Sequence, residues 1–344
     1  MPRTFISTVN RRQWLQWSLT ATAGTAAPWL AANAVADTAL PQDFLTATKP
    51  ITIVVGGPAG GATDGVARVL AQTFSSQLGR EVIVENKPGA GGTIGSKYVS
   101  VAKNDGHTLL LGHIGTNVLS PLMQTPKPYD PVSGFTPVGQ IGNTASVLLV
   151  PAAGPSTLQE ALALWKQKGR LSYASTGLGS GAHLLGHLLA DRLHAQGLHV
   201  PYRGSPFALQ DLVGGWVDAM FATAGAVGAY IDSKKLVPLA VASATRSSYY
   251  PQLPTLREAG LPDVSNEGWF GLFASAHTPE KIAQAWHAHL NTALRQPQVV
   301  QQLQGLIVDI AASTSQSQYA QFMEREISHW SRVVAQLGDA LKAT

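Results

Sequence analysis

The chain has 344 residues, of which 45% are hydrophobic and 13% are charged, and it contains no cysteine. This composition is typical of a globular protein with one large core or two modest ones, and it excludes an intrinsically disordered chain. Without cysteine, neither a disulfide nor a lipoprotein anchor is possible. Beyond the first forty residues, no apolar run reaches the roughly 18 residues that a membrane-spanning helix needs.

The N-terminal segment has the pattern of an export signal. Arg11 and Arg12 precede a moderately apolar run, and Ala34-Val35-Ala36 has the small-x-small pattern of a cleavage site. The arginine pair, followed by the residues QWL, resembles a twin-arginine signal, and an ordinary secretory signal is the alternative. Residues 1–36 are therefore predicted to direct export and to be removed, which places the mature protein in the periplasm.

The formal net charge of +4 does not indicate nucleic-acid binding. The export signal contains three of the 24 lysines and arginines and no acidic residue, so 21 basic residues remain against 20 acidic ones. The mature chain is therefore almost neutral, and its sequence has no basic and aromatic stripe of the kind that binds nucleic acid. We expect a monomer that binds neither nucleic acid nor a cofactor.

Short apolar runs alternate with amphipathic segments from Ile51 onward. The predicted order is a strand at 51–55, a helix at 64–78, a strand at 81–85, a helix at 93–103 and a strand at 108–111. This βαβαβ order predicts a mostly parallel sheet covered by helices on both faces. A proline-rich loop is predicted at 120–137, followed by a long strand at 138–150 that crosses to a second lobe.

A second series of helices and strands follows this crossing. Helices are predicted at 157–168, 181–194 and 206–213, and strands at 171–173, near 199, at 218–221 and at 237–241. After a second crossing strand at 265–275, we expect helices at 279–294 and 315–341, with a short strand at 306–310 between them. The prediction is an α/β protein with two lobes, 37–148 plus 268–344 and 149–267, and a ligand cleft between them.

Two glycine-rich loops follow the first two strands, and neither completes a nucleotide motif. Gly56 to Gly61 has the outer spacing of a phosphate loop, but Ala62 and Thr63 stand where lysine and serine belong. In the second loop, Ile94 replaces the third glycine of a dinucleotide fingerprint. A glycine loop ahead of a helix still suits a small anion such as a carboxylate. Thr63 or Asp64 is the predicted cap of the first helix.

A third loop of small residues, Ser172 to Gly181, again leads from a strand into a helix. Leu178 stands where the Gly-x-Ser-x-Gly motif of a hydrolase would need glycine. Paired carboxylates at an acid/base spacing do not stand out either. We therefore expect a binding protein and not an enzyme.

Four residues after this loop lie at helical spacings and raise the alternative of a periplasmic metal-binding protein: His183, His187, Asp191 and His194. Three imidazoles and a carboxylate on one helix face could hold a metal ion. The HExxH glutamate of metalloproteases is missing from HLLGH. We favour the other interpretation, in which His183 orients the loop and the remaining three side chains face solvent.

Several segments resemble the Bug family, the receptors of tripartite tricarboxylate transporters. The similarity begins with GGATDGVARVLAQTF and extends over 60–112, 200–221, 239–262 and 269–279. It implies a two-lobed, type II periplasmic binding protein fold with two crossing strands. It also implies a receptor that closes on a small organic carboxylate and, in some members, delivers it to a membrane permease. A ligand-loaded partner of a membrane sensor kinase is an alternative within the same fold.

The resemblance also implies a set of ligand-binding positions. In the first lobe they lie in the loop after the first strand, and in the second lobe they lie in three separate segments. The residues are Gly60, Gly61, Thr63, Asp64, Ser175, Gly179, Ser180, Gly181, His183, Tyr202, Arg203, Gly204, Ala222 and Thr223. Many relatives have aspartate where this chain has Ala222. Because that carboxylate is missing, we expect ligands with an ammonium group to be disfavoured.

We predict that the exported protein begins at Asp37. Sequencing the N-terminus of periplasmic material tests this, and an intact Met1 on folded, exported protein would contradict it. Replacing Arg11 and Arg12 with lysine should block export if the twin-arginine route is used. Unchanged export of the double variant would leave the ordinary secretory signal as the explanation.

Overall fold

The computed structural model describes Phe44 and residues 49–338. The predicted export signal, residues 1–36, lies outside the described residues. Within the described part of the chain, no helix combines the length and apolar character needed to span a bilayer.

The first part of the chain builds one edge and the centre of a sheet. Its elements are β1 (Ile51–Val55), α1 (Ala62–Leu78), β2 (Val82–Asn86), α2 (Thr93–Ser100), β3 (Thr108–His113), α3 (Ser120–Met123) and β4 (Phe135–Thr144). The predicted βαβαβ order is confirmed. Helix α1 begins two residues before the predicted start, because Gly61 is its N-cap in an extended conformation and no side chain caps the helix. The predicted cap at Thr63 or Asp64 is therefore wrong.

The middle of the chain builds a second sheet and its covering helices. The elements are β5 (Ser146–Pro151), α4 (Leu158–Lys168), β6 (Arg170–Ser175), α5 (Gly181–Arg192), β7 (Gln196–Pro201), α6 (Ser205–Val213), β8 (Ala219–Thr223), α7 (Gly228–Asp232) and β9 (Leu236–Val241). The chain then returns to the first sheet as β10 (Gly268–Ser275), α8 (Glu280–Leu294), α9 (Pro297–Gly305), β11 (Asp309–Ile310) and α10 (Gln316–Leu337).

Both sheets are mixed and not mostly parallel. The strand order is β11-β4-β10-β3-β1-β2 in the first sheet and β7-β6-β8-β5-β9 in the second. Strands β4 and β10 pair antiparallel, because the chain leaves the first sheet through one and enters it through the other. In the second sheet, β5 is antiparallel to both β8 and β9. Parallel pairing, which needs a long crossover connection between the strands, is confined to β1-β2, β1-β3, β6-β7 and β6-β8.

The chain passes between the two sheets at two adjacent points. The predicted single strand at 138–150 is two strands, with only Ala145 between the end of β4 and the start of β5. On the return path, the Asn266 N–H donates to Ala242 O at 2.8 Å just before β10 begins. Thr144 pairs with Gly268 in the sheet register, so the two crossings lie side by side. The exact division of the chain into lobes stays a prediction.

Three fully buried tryptophans mark the packed layers around the sheets. Trp286 on α8 covers the first sheet and donates its indole N–H to Gly106 O at 3.0 Å. Trp269 on β10 donates to Glu326 Oε2 at 3.0 Å, which ties the crossing strand to α10. Trp165 on α4 is buried against the second sheet. Each large side chain thus anchors one covering helix or crossing strand to the core.

Strand β10 has room for α10 only because residue 271 is glycine. A β-carbon on Gly271 would overlap the hydroxyl of Tyr319, which is fully buried and cannot move aside. We expect Gly271→Ala to lower the free energy of unfolding by about 1–3 kcal/mol. Urea unfolding measures the change. Gly228→Ala is the matched control, because nothing lies within 4 Å of the position that its added β-carbon would take. Equal midpoints for the two variants would contradict the prediction.

Candidate functional site

Two adjoining cavities lie between the facing ends of the two sheets. The first, about 100 Å³, is the loop cavity, because glycine loops form much of its wall: Gly56, Gly57, Pro58, Gly61, Ala62, Thr63, Asp64, Gly89, Gly91, Gly92, His113, Thr176, Arg203, Gly204, Ser205, Pro206 and Thr223. The second, about 80 Å³, is the crossing cavity, lined by Thr63, His113, Ile114, Gly115, Thr144, Ser146, Thr176, Ser180, Gly181, Ala182, Ser205, Phe221, Ala222, Thr223, Asn266, Gly268, Trp269 and Phe270. We call the two together the cleft.

Four helices begin at the wall of the cleft. The N-terminal ends of α1 and α2 meet it through Gly61 and Gly92, and those of α5 and α6 meet it through Gly181 and Ser205. The first N–H groups of a helix have no acceptor within that helix, and each N-terminus carries roughly half a positive charge. Because the four ends come from both sheets, the cleft concentrates positive potential and N–H donors. Such a cleft favours an anion.

Asp64 holds the first glycine loop in shape. Its carboxylate accepts hydrogen bonds from the Gly60 N–H at 3.0 Å, from Arg68 at 2.9 and 3.0 Å and from Asn86 Nδ2 at 2.9 Å. Burial raises the pKa of Asp64, but the hydrogen bonds from Arg68, Gly60 and Asn86 outweigh burial and leave the pKa below its ordinary value. The carboxylate is already engaged on several sides, so it positions the loop.

His113 lies at the end of β3 and lines both cavities. The Gly115 N–H donates to its Nδ1 at 3.1 Å, so in the neutral ring the proton is on Nε2. Burial lowers the pKa of His113 to about 4. The ring therefore stays neutral near pH 7 and can donate one hydrogen bond. His113 was not among the site residues predicted from the sequence, although the carboxyl end of a central strand is where ligand contacts in such sheets occur.

In the second lobe, the predicted site residues that reach the cleft come from three segments. Ser180 is the N-cap of α5, where its Oγ accepts the His183 N–H at 3.2 Å, and it lines the crossing cavity with Gly181. Thr223 lines both cavities. The structure thus brings nine of the predicted residues to the cleft wall: Gly61, Thr63, Asp64, Ser180, Gly181, Arg203, Gly204, Ala222 and Thr223. Ligand binding by these residues stays a prediction.

Five predicted site residues line neither cavity: Gly60, Ser175, Gly179, His183 and Tyr202. Ser175 is buried, and its Oγ lies 2.6 Å from His199 Nε2 and accepts the Gly177 N–H at 3.0 Å. Gly179 has a φ of +78° and donates its N–H to His183 Nδ1 at 3.3 Å. The imidazoles of His183 and His199 stack with centroids 4.0 Å apart. These contacts set the conformation of the loop that precedes α5.

Tyr202 and Gly60 make hydrogen bonds that hold segments beside the cleft. The Tyr202 hydroxyl donates to Asp211 Oδ2 at 2.7 Å, which fixes the segment before α6 against the second turn of that helix. Gly60 has a φ of +83°, and its N–H is bound by Asp64. A loop sequence indicates that several neighbours lie near a ligand, but it does not show which of them face it.

The histidines of α5 do not form a shared metal site in the structure. His183 is buried, while Asp191 is exposed and His187 is partly buried. Within 49–338, no group of three or more histidine, aspartate or glutamate side chains lies close enough to hold a metal ion. Burial lowers the pKa of His183 to about 3, and the neighbouring His199 adds to this effect. His183 therefore supports its loop as a neutral ring.

Besides His113, the cleft contains polar residues that the sequence analysis did not select. Thr176 directly follows Ser175, and Ser205 is the first residue of α6. Other missed residues come from the two crossings: Thr144, Ser146 and Asn266. The two crossing strands were predicted from the sequence. The polar residues in and beside these strands were the signal that could have identified these cleft positions. Which of them face the cavity depends on where each strand ends.

The comparisons with known proteins agree on one family. The model of the tripartite tricarboxylate transporter family receptor matches residues 66–339. Protein BugT of Bordetella pertussis is 36% identical over 299 residues, which is 86% of this chain and 91% of that protein. The structure of the periplasmic binding protein BugD has a TM-score of 0.79 at 30% identity and covers 85% of this chain and 98% of its own.

Two other similar structures were determined with ligands. MatC of Rhodopseudomonas palustris with bound malate has a TM-score of 0.77 at 33% identity, covering 83% of this chain and 99% of its own. A second protein of that organism with adipate has a TM-score of 0.79 at 29% identity, covering 84% and 97%. The matching family and the similar structures are solute-binding receptors of the two-lobed periplasmic type and not enzymes. The chain belongs to the tripartite tricarboxylate transporter receptor family, which confirms the resemblance to the Bug proteins.

The lowered pKa of His113 in the cleft wall predicts a loss of stability in acid. His113 stays neutral in the folded protein down to a pH of about 4, whereas in the unfolded chain it takes up a proton near pH 6.5. The unfolded state therefore binds more protons in this window, and the free energy of unfolding should fall as the pH is lowered through it. Urea titrations at pH 7 and pH 5 measure the fall.

His113→Gln should show a smaller fall than the parent protein. His277→Gln is the control, because the His277 side chain is exposed in the folded protein and lines neither cavity. An equal loss of stability in the parent and in His113→Gln would contradict the proposed burial of a neutral ring.

Proposed function

We propose that this protein is an exported solute-binding receptor whose cleft closes on a small organic carboxylate. The convergence of four helix N-termini on one cleft is the observation that carries the proposal. Among the residues that line the two cavities, Asp64 is the one carboxylate, and its oxygens are engaged by Arg68, Asn86 and Gly60. The wall therefore offers an anion donors and little competing negative charge.

The polar side chains of the cleft suit a carboxylate as well. Thr63, Ser205 and Thr223 contribute hydroxyls to both cavities, and His113 contributes a neutral N–H. A carboxylate oxygen accepts hydrogen bonds from all of these groups. The cavities together have the scale of a small metabolite. The malate and adipate in the two R. palustris structures support the same chemical class.

Arg203 is the cationic side chain of the cleft wall, and it is exposed at the loop cavity. An exposed guanidinium attracts an anion in a way that salt weakens, so Arg203 would contribute to capture more than to tight binding. A ligand ammonium group has no comparable partner. The carboxylate of Asp64 is engaged, and residue 222 is alanine, so amino acids should bind less well than acids without an amino group.

We infer further that the receptor works in the periplasm and delivers its ligand to a membrane permease. Support comes from the description of the family as transporter receptors and from the export signal predicted at residues 1–36.

We expect small carboxylates to raise the melting temperature of the protein. A ligand present at about 100 times its Kd adds about 2.7 kcal/mol to the stability of the folded state, which corresponds to a shift of several degrees. A panel of malate, succinate, adipate, aromatic acids, amino acids and zinc would identify the class. A shift with zinc alone would contradict carboxylate binding and support the metal alternative.

The first glycine loop should contribute part of the affinity for the carboxylate ligand. Gly61→Val would obstruct the main-chain approach at the start of α1, and Thr63→Ala would remove a hydroxyl that lines both cavities. Calorimetry should show weaker binding of the best carboxylate for both variants. Thr292→Ala, on the exposed side of α8, is the matched control. If Gly61→Val binds the carboxylate as tightly as the parent protein does, the loop has a structural role and does not contribute to binding.

A further inference from the structure

One buried polar atom in the cleft lacks a hydrogen-bond partner. Asn266 is 2% exposed and lines the crossing cavity. Its main-chain N–H is bound by Ala242 O at 2.8 Å, which fixes the residue on the segment that returns to the first sheet. Its side-chain Oδ1 is buried and has no partner in the part of the chain that the structure describes. A buried acceptor left unpaired is costly, so this atom calls for an explanation in terms of a bound group.

The other unpartnered side-chain atoms of the described residues belong to residues outside the walls of the two cavities. They belong to Ser96, His107, Asn117 and Tyr319, and none of these residues lines either cavity. Asn266 is thus distinguished because its side chain belongs to the cavity wall and also carries an unpaired acceptor. Its place on the crossing also puts the acceptor where both sheets contribute to the wall.

The Asn266 amide lies beside the N-terminus of α5. A β-carbon on Gly181 would come within 2.9 Å of Asn266 Nδ2, so glycine at 181 lets the amide approach the helix end. At this place the wall presents two different chemistries. The helix N-terminus offers N–H donors, which suit a carboxylate, and Asn266 Oδ1 offers an acceptor, which a carboxylate cannot satisfy.

A ligand with a hydroxyl near its carboxylate can pair with both groups: the carboxylate accepts from the helix N–H donors, and the hydroxyl donates to the Asn266 acceptor. We propose that Asn266 Oδ1 accepts a hydrogen bond from a ligand hydroxyl, and that this receptor selects hydroxycarboxylates over the matching acids without the hydroxyl. This inference rests on the proposed carboxylate-binding function and names the ligand class within it. The discrimination arises because an acid that lacks the hydroxyl leaves Oδ1 buried and unpaired.

An ammonium group could also donate to Oδ1, but the charge around the cavity favours the hydroxyl. A neutral amide oxygen does not compensate a buried positive charge. The carboxylate of Asp64 is engaged by Arg68 and Asn86, and the lining position 222 is alanine. A hydroxyl needs only an acceptor, and Asn266 provides one.

Matched ligands test this proposal by calorimetry on the purified protein. The pairs are L-malate with succinate and 2-hydroxyadipate with adipate, and L-aspartate replaces the hydroxyl of malate with an ammonium group. In at least one pair, the hydroxy acid should bind about tenfold or more tightly than its partner. L-Aspartate should bind more weakly than L-malate. These ratios are measured on the parent protein, so they do not depend on the folding of any variant.

The variant Asn266→Leu has a similar shape and no polar atoms, so it should reduce the preference for the hydroxy acid to nearly equal affinities. Asn143→Leu is the matched control. Asn143 carries an amide outside both cavities, and its variant should keep the full preference.

Equal affinities within both pairs in the parent protein would overturn the role of Asn266 and leave carboxylate binding intact. Tighter binding of L-aspartate than of L-malate would also overturn it. A preference that survives Asn266→Leu would show that another group holds the hydroxyl. Binding of neither pair would overturn this inference, while the wider panel of carboxylates would still decide the proposed function.

Discussion

The arrangement of the whole molecule depends on two chain crossings held next to each other by the pairing of Thr144 with Gly268. Since Ala145 alone separates β4 from β5, the two sheets are joined with almost no intervening chain. The crossings direct the ends of both sheets toward a common space. Loops and helix starts that follow the strands therefore meet there, although they are far apart in sequence. The cleft is a consequence of this connection.

The electrostatic character of the cleft follows from the same geometry. In a βα unit, the helix begins near the carboxyl end of the preceding strand, so the N-termini of α1, α2, α5 and α6 are all directed to that side. Their partial positive charges add where the two sheets face each other. The protein can thereby favour an anion with main-chain groups, while its side chains are left to distinguish one carboxylate from another. We propose Asn266 and His113 for that second task.

The glycine loops could be located from the sequence, but their individual roles could not. Gly61 and Thr63 were predicted to face a ligand and do line the cleft, whereas the neighbouring Gly60 binds Asp64. In the second lobe, Ser180 lines the cleft, and His183, three residues further on, lies buried against His199. A local pattern shows that a loop joins a strand to a helix. The direction of each residue depends on dihedral angles and on packing partners from distant parts of the chain.

By itself, the sequence determined most of the order of helices and strands, the glycine loops and the membership of the family, because periodicity and motifs are local properties of the chain. It did not predict the helices α3, α7 and α9. Only the tertiary structure decided that both sheets are mixed, where the strands cross and which polar groups share the cleft. His113 and Asn266 are separated by more than a hundred residues and have no motif in common. They meet in one cavity because strand register and the two crossings set distances through space that no spacing along the chain encodes.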